Sequence, residues 1–280
     1  MPDDALKSQL PQAFTFSQSS LQDYTDCPRR FQLRYIEKLS WPAVETEPVL
    51  ENEQRQQEGL LFHRMAQQYL IGLPVETLTR LANTPDLSRW WENYLNATDL
   101  RSLRDAGRLD TELTLAAPIG THRLLAKYDL VAVKSGGGAI IYDWKTYLKR
   151  PKDEWMAARM QTRVYRALLI QAGATINEGK PFQPEQIEMI YWYADFPSEP
   201  ARLPYTAPQY KRDWDALVSI ISEISHHVHF PLTQDEKKCA YCPYRSYCNR
   251  GERAGNTDEM MESEWKGLDI NFEQIAEIEY

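Results

Sequence analysis

The stretch "KYDLVAVKSGGGAIIYDWKT", residues 127–146, decides how this chain folds. Apolar and polar residues alternate on both sides of "SGGG" at 135–138. A period of two marks a half-buried strand, and a glycine run between two such strands permits the backbone angles of a tight hairpin. With the turn centred between Gly136 and Gly137, Asp129 on the first strand falls opposite the Asp143–Trp144 region of the second. Asp143 and Lys145 are two apart and share a face, while Trp144 points to the other one. The expected geometry is two carboxylates and one ammonium on a single patch of sheet. A one-residue slip would send Asp129 to the opposite face, so register decides the chemistry. Two carboxylates offer hard oxygen ligands to Mg2+ or Mn2+. Such a metal polarises a phosphate and acidifies a bound water, and a neighbouring lysine orients that water and offsets charge developing on phosphorus. The alternative is a cross-strand salt bridge, worth at most about 1 kcal/mol on a surface.

Outward from the hairpin, "TELTLAAPIG" (111–120) reads as the strand before it and "EQIEMIYWYAD" (185–195) as a later one. "SQSSLQDYTDCPRRFQLRYIEKL" (17–39) reads as helix, capped by Ser19 or Ser20 and kinked or restarted at Pro28. Residues 40–58 read as a loop rich in Glu, Gln and Pro, and "GLLFHRMAQQYLIG" (59–72) as a second helix. Residues 85–106, with Trp90, Trp91, Tyr94 and Leu95, suggest a third, "KDEWMAARMQTRVYRALLIQAG" (152–173) a long amphipathic one, and 207–229 another. Helices, then an antiparallel meander, then a helix and a strand, describe a mixed α/β domain.

Set in this order, the pieces carry a resemblance. Asp129 followed by Asp143-Trp144-Lys145 resembles the signature of PD-(D/E)XK nucleases. "MQTRVYRALL", with Gln161 and Tyr165 four apart on one helix face, is similar to the QxxxY element of the RecB-like branch. "GLLFHRMAQQYL" is similar to that branch's helix bearing a metal-binding histidine, here His63, and "DYTDCPRRFQLRY" to its N-terminal cysteine segment. The resemblance spans most of residues 17–250 and implies a restriction-endonuclease-like core, a mixed central sheet flanked by helices. It implies that Asp129 and Asp143 ligate Mg2+ or Mn2+, that His63 adds a nitrogen ligand or contacts a metal-bound water, and that Lys145 is catalytic. Gln161 and Tyr165 would position the DNA backbone or orient the site, with Glu112 assisting from the preceding strand. One departure is Lys127, where the family often has glycine two residues before the first aspartate. Taken residue by residue, His63 among Leu60, Leu61 and Phe62 also fits a packing role, and Gln161 and Tyr165 fit a helix-surface pair.

The four cysteines form a second pattern. Cys239, Cys242 and Cys248 fall in "CAYCPYRSYC", and Cys27 lies 212 positions upstream. In an intracellular chain such spacing points to a metal rather than to disulfides. Four thiolates suit Zn2+ or a 4Fe-4S cluster, and spacing alone leaves both open. The arrangement resembles the iron-sulfur staple of AddB-type and CRISPR-associated RecB-like nucleases, which implies a structural 4Fe-4S cluster. "SHHVHF", with His226, His227 and His229, is read as packing, since adjacent histidines on a helix point apart.

Composition sets outer limits. The chain has 280 residues, 42% hydrophobic and 26% charged, with a formal net charge of -8, which argues against nonspecific coating of nucleic acid but leaves room for a local basic track. There is no GxxxxGK[ST] run, no signal-peptide pattern and no stretch of about 18 apolar residues, so a cytoplasmic protein is expected. Arg30, Arg34 and Lys38, spaced by four, would make a basic stripe for DNA beside Arg29, and Lys149, Arg150 and Lys152 another. Tyr241, Tyr244 and Tyr247 offer stacking faces. The expected organisation is a lead-in at 1–16, one nuclease domain at 17–250 closed by the cysteines, and an acidic tail at 251–280. The resemblance implies an exonuclease on single-stranded or end-bearing DNA in repair, recombination or CRISPR adaptation, with a helicase or adaptation partner. The competing reading is a scaffold or DNA-binding subunit of a helicase-nuclease complex with a vestigial core.

Overall fold

The structure is a computed structural model that describes residues 10, 11, 13–39, 49–97, 103, 107–239 and 242–251. Most of the lead-in, residues 40–48, Tyr241 and all of the acidic tail after Gly251 lie outside the described residues. The span expected as one domain divides into two compact units. One comprises Met1–Asn52, Pro118–Leu124 and Ala216–Tyr280, the other Glu53–Ala117 and Leu125–Asp215.

The second unit is built on a mixed sheet. Its strands are β2 (Gly107–Ile119), β3 (His122–Lys134), β4 (Ala139–Lys145), β5 (Ile187–Tyr193) and β6 (Phe196–Pro204), β1 being Thr15–Ser17 of the first unit. The order runs β3-β4-β5-β6, with β2 also paired to β3. β3 and β4 form the expected hairpin, with Leu130 opposite Tyr142 and Val133 opposite Ala139. Lys134 and Gly138 close the turn at 3.0 Å. Gly138 has φ +98°, and a Cβ there would lie 2.8 Å from the Gln186 carbonyl oxygen, so only glycine fits.

β4 and β5 are parallel, with Asp143 opposite Tyr191 and Lys145 opposite Tyr193. A parallel pair needs a crossover, and helices supply it. β6 was not expected. Pro197, Pro200 and Pro204 disguise it, yet it ends the strand order, where missing N–H donors are tolerated. A mixed sheet flanked by helices is the expected fold class.

The helices depart from expectation in instructive ways. In the first unit, α1 (Gln18–Asp26) is capped by Ser17 and not by Ser19 or Ser20. The Ser17 hydroxyl accepts from the Ser20 amide at 3.3 Å and Ser20 returns the bond to the Ser17 amide at 2.9 Å, a reciprocal cap worth about 1 kcal/mol. Cys27 is extended, and α2 (Pro28–Phe31) restarts with Pro28 in its first turn, as the proline required. A π-helical turn (Gln32–Ile36) follows. Stacked and edge-on rings of Phe14, Phe31, Tyr24 and Phe230 form this unit's apolar centre. His227 accompanies Tyr24 at 3.0 Å, and His226 lies 2.7 Å from the Ser222 carbonyl.

In the second unit, α3 (Val49–Leu70) begins ten residues before the expected helix, inside the stretch read as loop. Glu and Gln are strong helix formers, so polarity there marks an exposed face and not a break. α4 (Val75–Thr79) is a short addition, and α5 (Pro85–Asn96), capped by Thr84, ends at its C-cap Ala97, while most of the expected stretch from there to residue 106 lies outside the described residues. Phe62, Met65, Trp90 and Tyr94 of α3 and α5 pack on Tyr142, Trp144, Ile190 and Trp192 of the sheet. The long helix expected at 152–173 is two, α6 (Asp153–Ala158) and α7 (Met160–Ala172). Arg159 breaks it by turning extended (φ -63°, ψ 147°), with its guanidinium over Trp155 and bonded to the Tyr147 hydroxyl at 3.2 Å. The last helix, α8, runs Ala207–His226. Among the described residues no helix is long and apolar enough to cross a membrane.

Candidate active site

Continuing the β3/β4 register one step from Leu130–Tyr142 sets Asp129 opposite Asp143. This is one residue tighter than a turn centred between Gly136 and Gly137, and opposite residues share a face. The Asp129 carboxylate accepts the Trp144 amide at 2.9 Å, and its other oxygen lies 3.3 Å from His63 Nδ1 on α3. Asp143 Oδ1 is 2.7 Å from Lys145 Nζ. Its Oδ2 accepts from Gln161 Nε2 at 2.6 Å, and Gln161 Oε1 accepts from Lys145 at 3.1 Å, closing a triangle between β4 and α7. Side-chain exposure rises from 4% at Asp143 and 11% at Lys145 to 19% at Asp129 and 32% at His63, so the patch opens toward the histidine.

The two carboxylates are electrostatically unequal. Burial pushes the Asp143 carboxyl up to about 6; Lys145 opposes the rise and the Asp129 charge adds to it. Burial acts on Asp129 in the same sense, but the His63 charge and hydrogen bond and the Trp144 amide outweigh it and hold the group below its ordinary range. Burial works against the charged form of His63, yet Asp129 prevails and raises it. One carboxylate is thus firmly ionised while its neighbour is costly to ionise without further positive charge. That asymmetry suits a site built to receive a cation.

Other residues singled out from the sequence take supporting places. The Tyr165 hydroxyl donates to the Lys127 carbonyl at 2.6 Å, and its own carbonyl accepts from Tyr128 at 3.0 Å, so it fastens α7 to β3. Glu112 is 2.6 Å from Lys127 Nζ and has φ +52°, so it is engaged by the residue that replaces the family glycine.

Tyr191 and Arg55 had not been singled out. The Tyr191 ring lies 5.4 Å from Lys145 Nζ and its hydroxyl is 2.7 Å from Thr162. Arg55, eight residues before His63, donates to the Thr146 carbonyl at 3.2 Å and pairs with Asp86 and Asp195. It ties the histidine's helix to the chain leaving β4. Neither contact has a signal in local spacing, because both join distant segments.

The cysteines occupy the first unit. Cys27, Cys239, Cys242 and Cys248 line one cavity together with Arg30, Lys238 and Arg245. Burial pushes the Cys242 thiol up to about 11 although Arg30 opposes the rise. Burial and the neighbouring Cys27 also raise Cys239 and Cys248. Of the basic stripe expected for DNA, Lys38 is exposed, whereas the two arginines are engaged by carboxylates. Arg30, 6% exposed, pairs with Asp23 at 2.8 Å and Asp26 at 2.7 Å, and Arg34 pairs with Asp23 at 3.0 Å. Tyr244 is buried and bonds the Leu39 carbonyl, so it offers no stacking face, whereas Tyr247 and Lys149 are exposed. Among the described residues, no three His, Cys, Asp or Glu side chains stand close enough to hold a metal as placed. The protein's own cations and amides occupy the carboxylates instead.

The family model of the PD-(D/E)XK nuclease superfamily matches residues 15–249. Among solved structures, a "Putative exonuclease" from Eubacterium rectale is 9% identical with a TM-score of 0.48, covering 80% of this chain and 85% of the other. The crystal structure of SSO0001 is 12% identical with a TM-score of 0.39, covering 89% and 87%. No curated protein matches the chain.

Proposed function

The chain belongs to the PD-(D/E)XK nuclease superfamily, and from that premise we propose that it is a metal-dependent deoxyribonuclease working at Asp129, Asp143 and Lys145. The observation that carries this reading is the pair of carboxylates facing each other across β3 and β4, with Lys145 Nζ 2.7 Å from Asp143 and Gln161 bonded to both of these residues. Asp129 and Asp143 would hold Mg2+ or Mn2+, with His63 as a nitrogen ligand or a partner to its water. The donor set fits, because carboxylate oxygens on one face are what a hard cation requires. When bound, the ion supplies a Lewis acid that polarises the phosphate and acidifies water.

The chain's own groups do the rest. Lys145, whose Nζ lies 2.7 Å from Asp143 Oδ1, would face the phosphate and offset the charge that builds there. Gln161 holds Asp143 by its second oxygen, Tyr165 holds the β3 backbone beside Asp129, and Glu112 keeps Lys127 occupied near the site. Lys149 contributes to the DNA surface. The RecB-like resemblance supports an exonuclease acting on single-stranded or end-bearing DNA in repair, recombination or CRISPR adaptation, with a helicase or adaptation protein as partner.

To the four cysteines we assign a structural 4Fe-4S cluster. The resemblance supports it, the four cysteines line one cavity, and the nearby Arg30, Lys238 and Arg245 would offset thiolate charge. Protein purified without oxygen should be brown and contain iron and sulfide; a colourless protein with one Zn2+ would overturn the assignment. For the nuclease, strands labelled at either end should be degraded with Mn2+ or Mg2+ and spared by chelator. Equal inactivity of wild type and Lys145→Ala under all conditions would favour a scaffold role instead.

A further inference from the structure

The segment that leaves β4, "KTYLKRPK" at 145–152, carries four cations and no carboxylate in a chain of net charge -8. It is not a loose loop. The Tyr147 hydroxyl accepts from Arg159 at 3.2 Å, and its ring lies 6.3 Å from Tyr193 and 5.8 Å from Lys145 Nζ. Arg150 turns inward, bonding the Glu199 carbonyl at 2.7 Å and Asp153 at 2.6 Å, with its guanidinium over Tyr193. Pro151 is buried beside it. With these residues committed to anchoring, the segment presents Leu148, 44% exposed, between the half-buried Tyr147 ring and the exposed Lys149, and Lys152 is exposed as well. A rigid mount that displays an aliphatic group and a ring between cations spends no ordering entropy on binding a charged, flat-faced polymer.

Resting on the nuclease reading above, we propose that Tyr147–Lys152 is the platform that holds the DNA strand next to the cleavage site and selects unpaired bases. Lys149 and Lys152 meet phosphates, while Leu148 and the Tyr147 ring meet base faces. Phosphates are present in every form of DNA, but base faces are open only where the strand is unpaired. Leu148 is therefore the specificity-determining residue and the two lysines are general contacts.

The test is fluorescence anisotropy in chelator, with a labelled single strand and a blunt duplex of the same sequence. Wild type, Leu148→Ala and the Lys149→Ala/Lys152→Ala double variant are compared, with melting curves to check folding. Leu148→Ala should weaken single-strand binding about 5-fold and leave duplex binding unchanged, the loss expected when an exposed leucine no longer buries its apolar surface against a base. The double variant should weaken both and lower the single-strand salt slope by about 1.4, two contacts at about 0.7 each. Equal loss on strand and duplex for Leu148→Ala, wild-type binding by both variants, or no single-strand binding by wild type would each overturn the proposal. Cleavage with Mn2+ separates the two readings. Active wild type with no loop effect on binding removes only the platform, and loop-dependent binding without cleavage removes only the nuclease.

Discussion

The acidic patch and the cysteine cavity are assembled by different physics. Asp129, Asp143 and Lys145 lie within sixteen residues on one hairpin, and main-chain bonds fix their spacing before any side chain interacts. Cys27 and the 239–248 segment come from opposite ends of the sequence. Besides the cavity they share, Lys238 joins the ends through Asp26 at 3.3 Å, while Arg30, paired with Asp23 and Asp26, ties α2 to α1 beside Cys27. The first arrangement is held by one hairpin. The second rests on contacts between segments distant in sequence and on buried ion pairs beside them. Damage to the patch should therefore cost chemistry and little stability, and damage beside the cysteines the reverse.

The sharpest test of that contrast is Lys145→Ala. It should lower kcat for strand cleavage by roughly 10²–10³-fold, the usual loss for one charge-stabilising donor, while the melting temperature falls less than in Arg30→Ala, because Asp143, already pushed up to about 6 and still held by Gln161, can take a proton. A variant that cuts as well as wild type would remove Lys145 from the mechanism. Arg30→Ala should show the opposite profile. Stranding two buried carboxylates costs about 3 kcal/mol or more in denaturant titration, whereas Arg34→Ala, at a more exposed pair, should cost about 1 kcal/mol or less. Equal losses would show that the buried Arg30 pairs contribute no more than the more exposed Arg34 pair.

A subtler probe is Arg55→Ala, which frees the chain after Lys145 from the helix bearing His63. It should lower kcat roughly tenfold with KM unchanged, since small misplacements at a reacting centre are expensive. Arg89→Ala breaks the same ion network at Asp86 and Asp195 without touching Thr146, and should leave kcat near wild type. Matching losses in the two variants would reduce Arg55 to a stability residue.

The smallest expected effect is in the pH dependence of the metal-free protein. Asp143 and His63 both bind protons more tightly folded than unfolded, so their contribution is complete below the unfolded pKa values and fades as pH rises through the folded ones. Melting temperature should fall between about pH 4 and pH 7, and Asp143→Asn should flatten the lower part of that fall. Asp129 acts in the other sense, losing its contribution only as pH drops below the ordinary carboxylate range. A melting temperature that rises steadily across pH 4–7 would contradict the unequal pair.

Much of this was readable in the residues themselves. The glycine run between two strand-like stretches gave the hairpin, Pro28 gave the break after α1, and the Asp-x-Lys spacing and Gln161 form one bonded triangle, with Tyr165 fastening the same helix to β3. The failures have two causes. The polar start of α3 follows from helix-forming Glu and Gln, whose polarity resembles that of a loop, whereas the proline-rich β6, paired to β5, and the split at Arg159, held by Tyr147 and Trp155, depend on packing that local propensity does not report. Arg30 looked like a surface cation because helical spacing says nothing about the carboxylates that bury it.

By itself the sequence determined the local alphabet of this protein: which residues alternate, where a turn must form, and which side chains share a face. Those follow from backbone sterics and short-range periodicity. Only the tertiary structure decided that Asp143 is the strained carboxylate and Asp129 the settled one, that Arg30 serves a buried ion cluster, and that the segment after Lys145 is rigidly mounted. Each of those outcomes depends on burial and on charges from other elements, and neither quantity exists until the chain has packed.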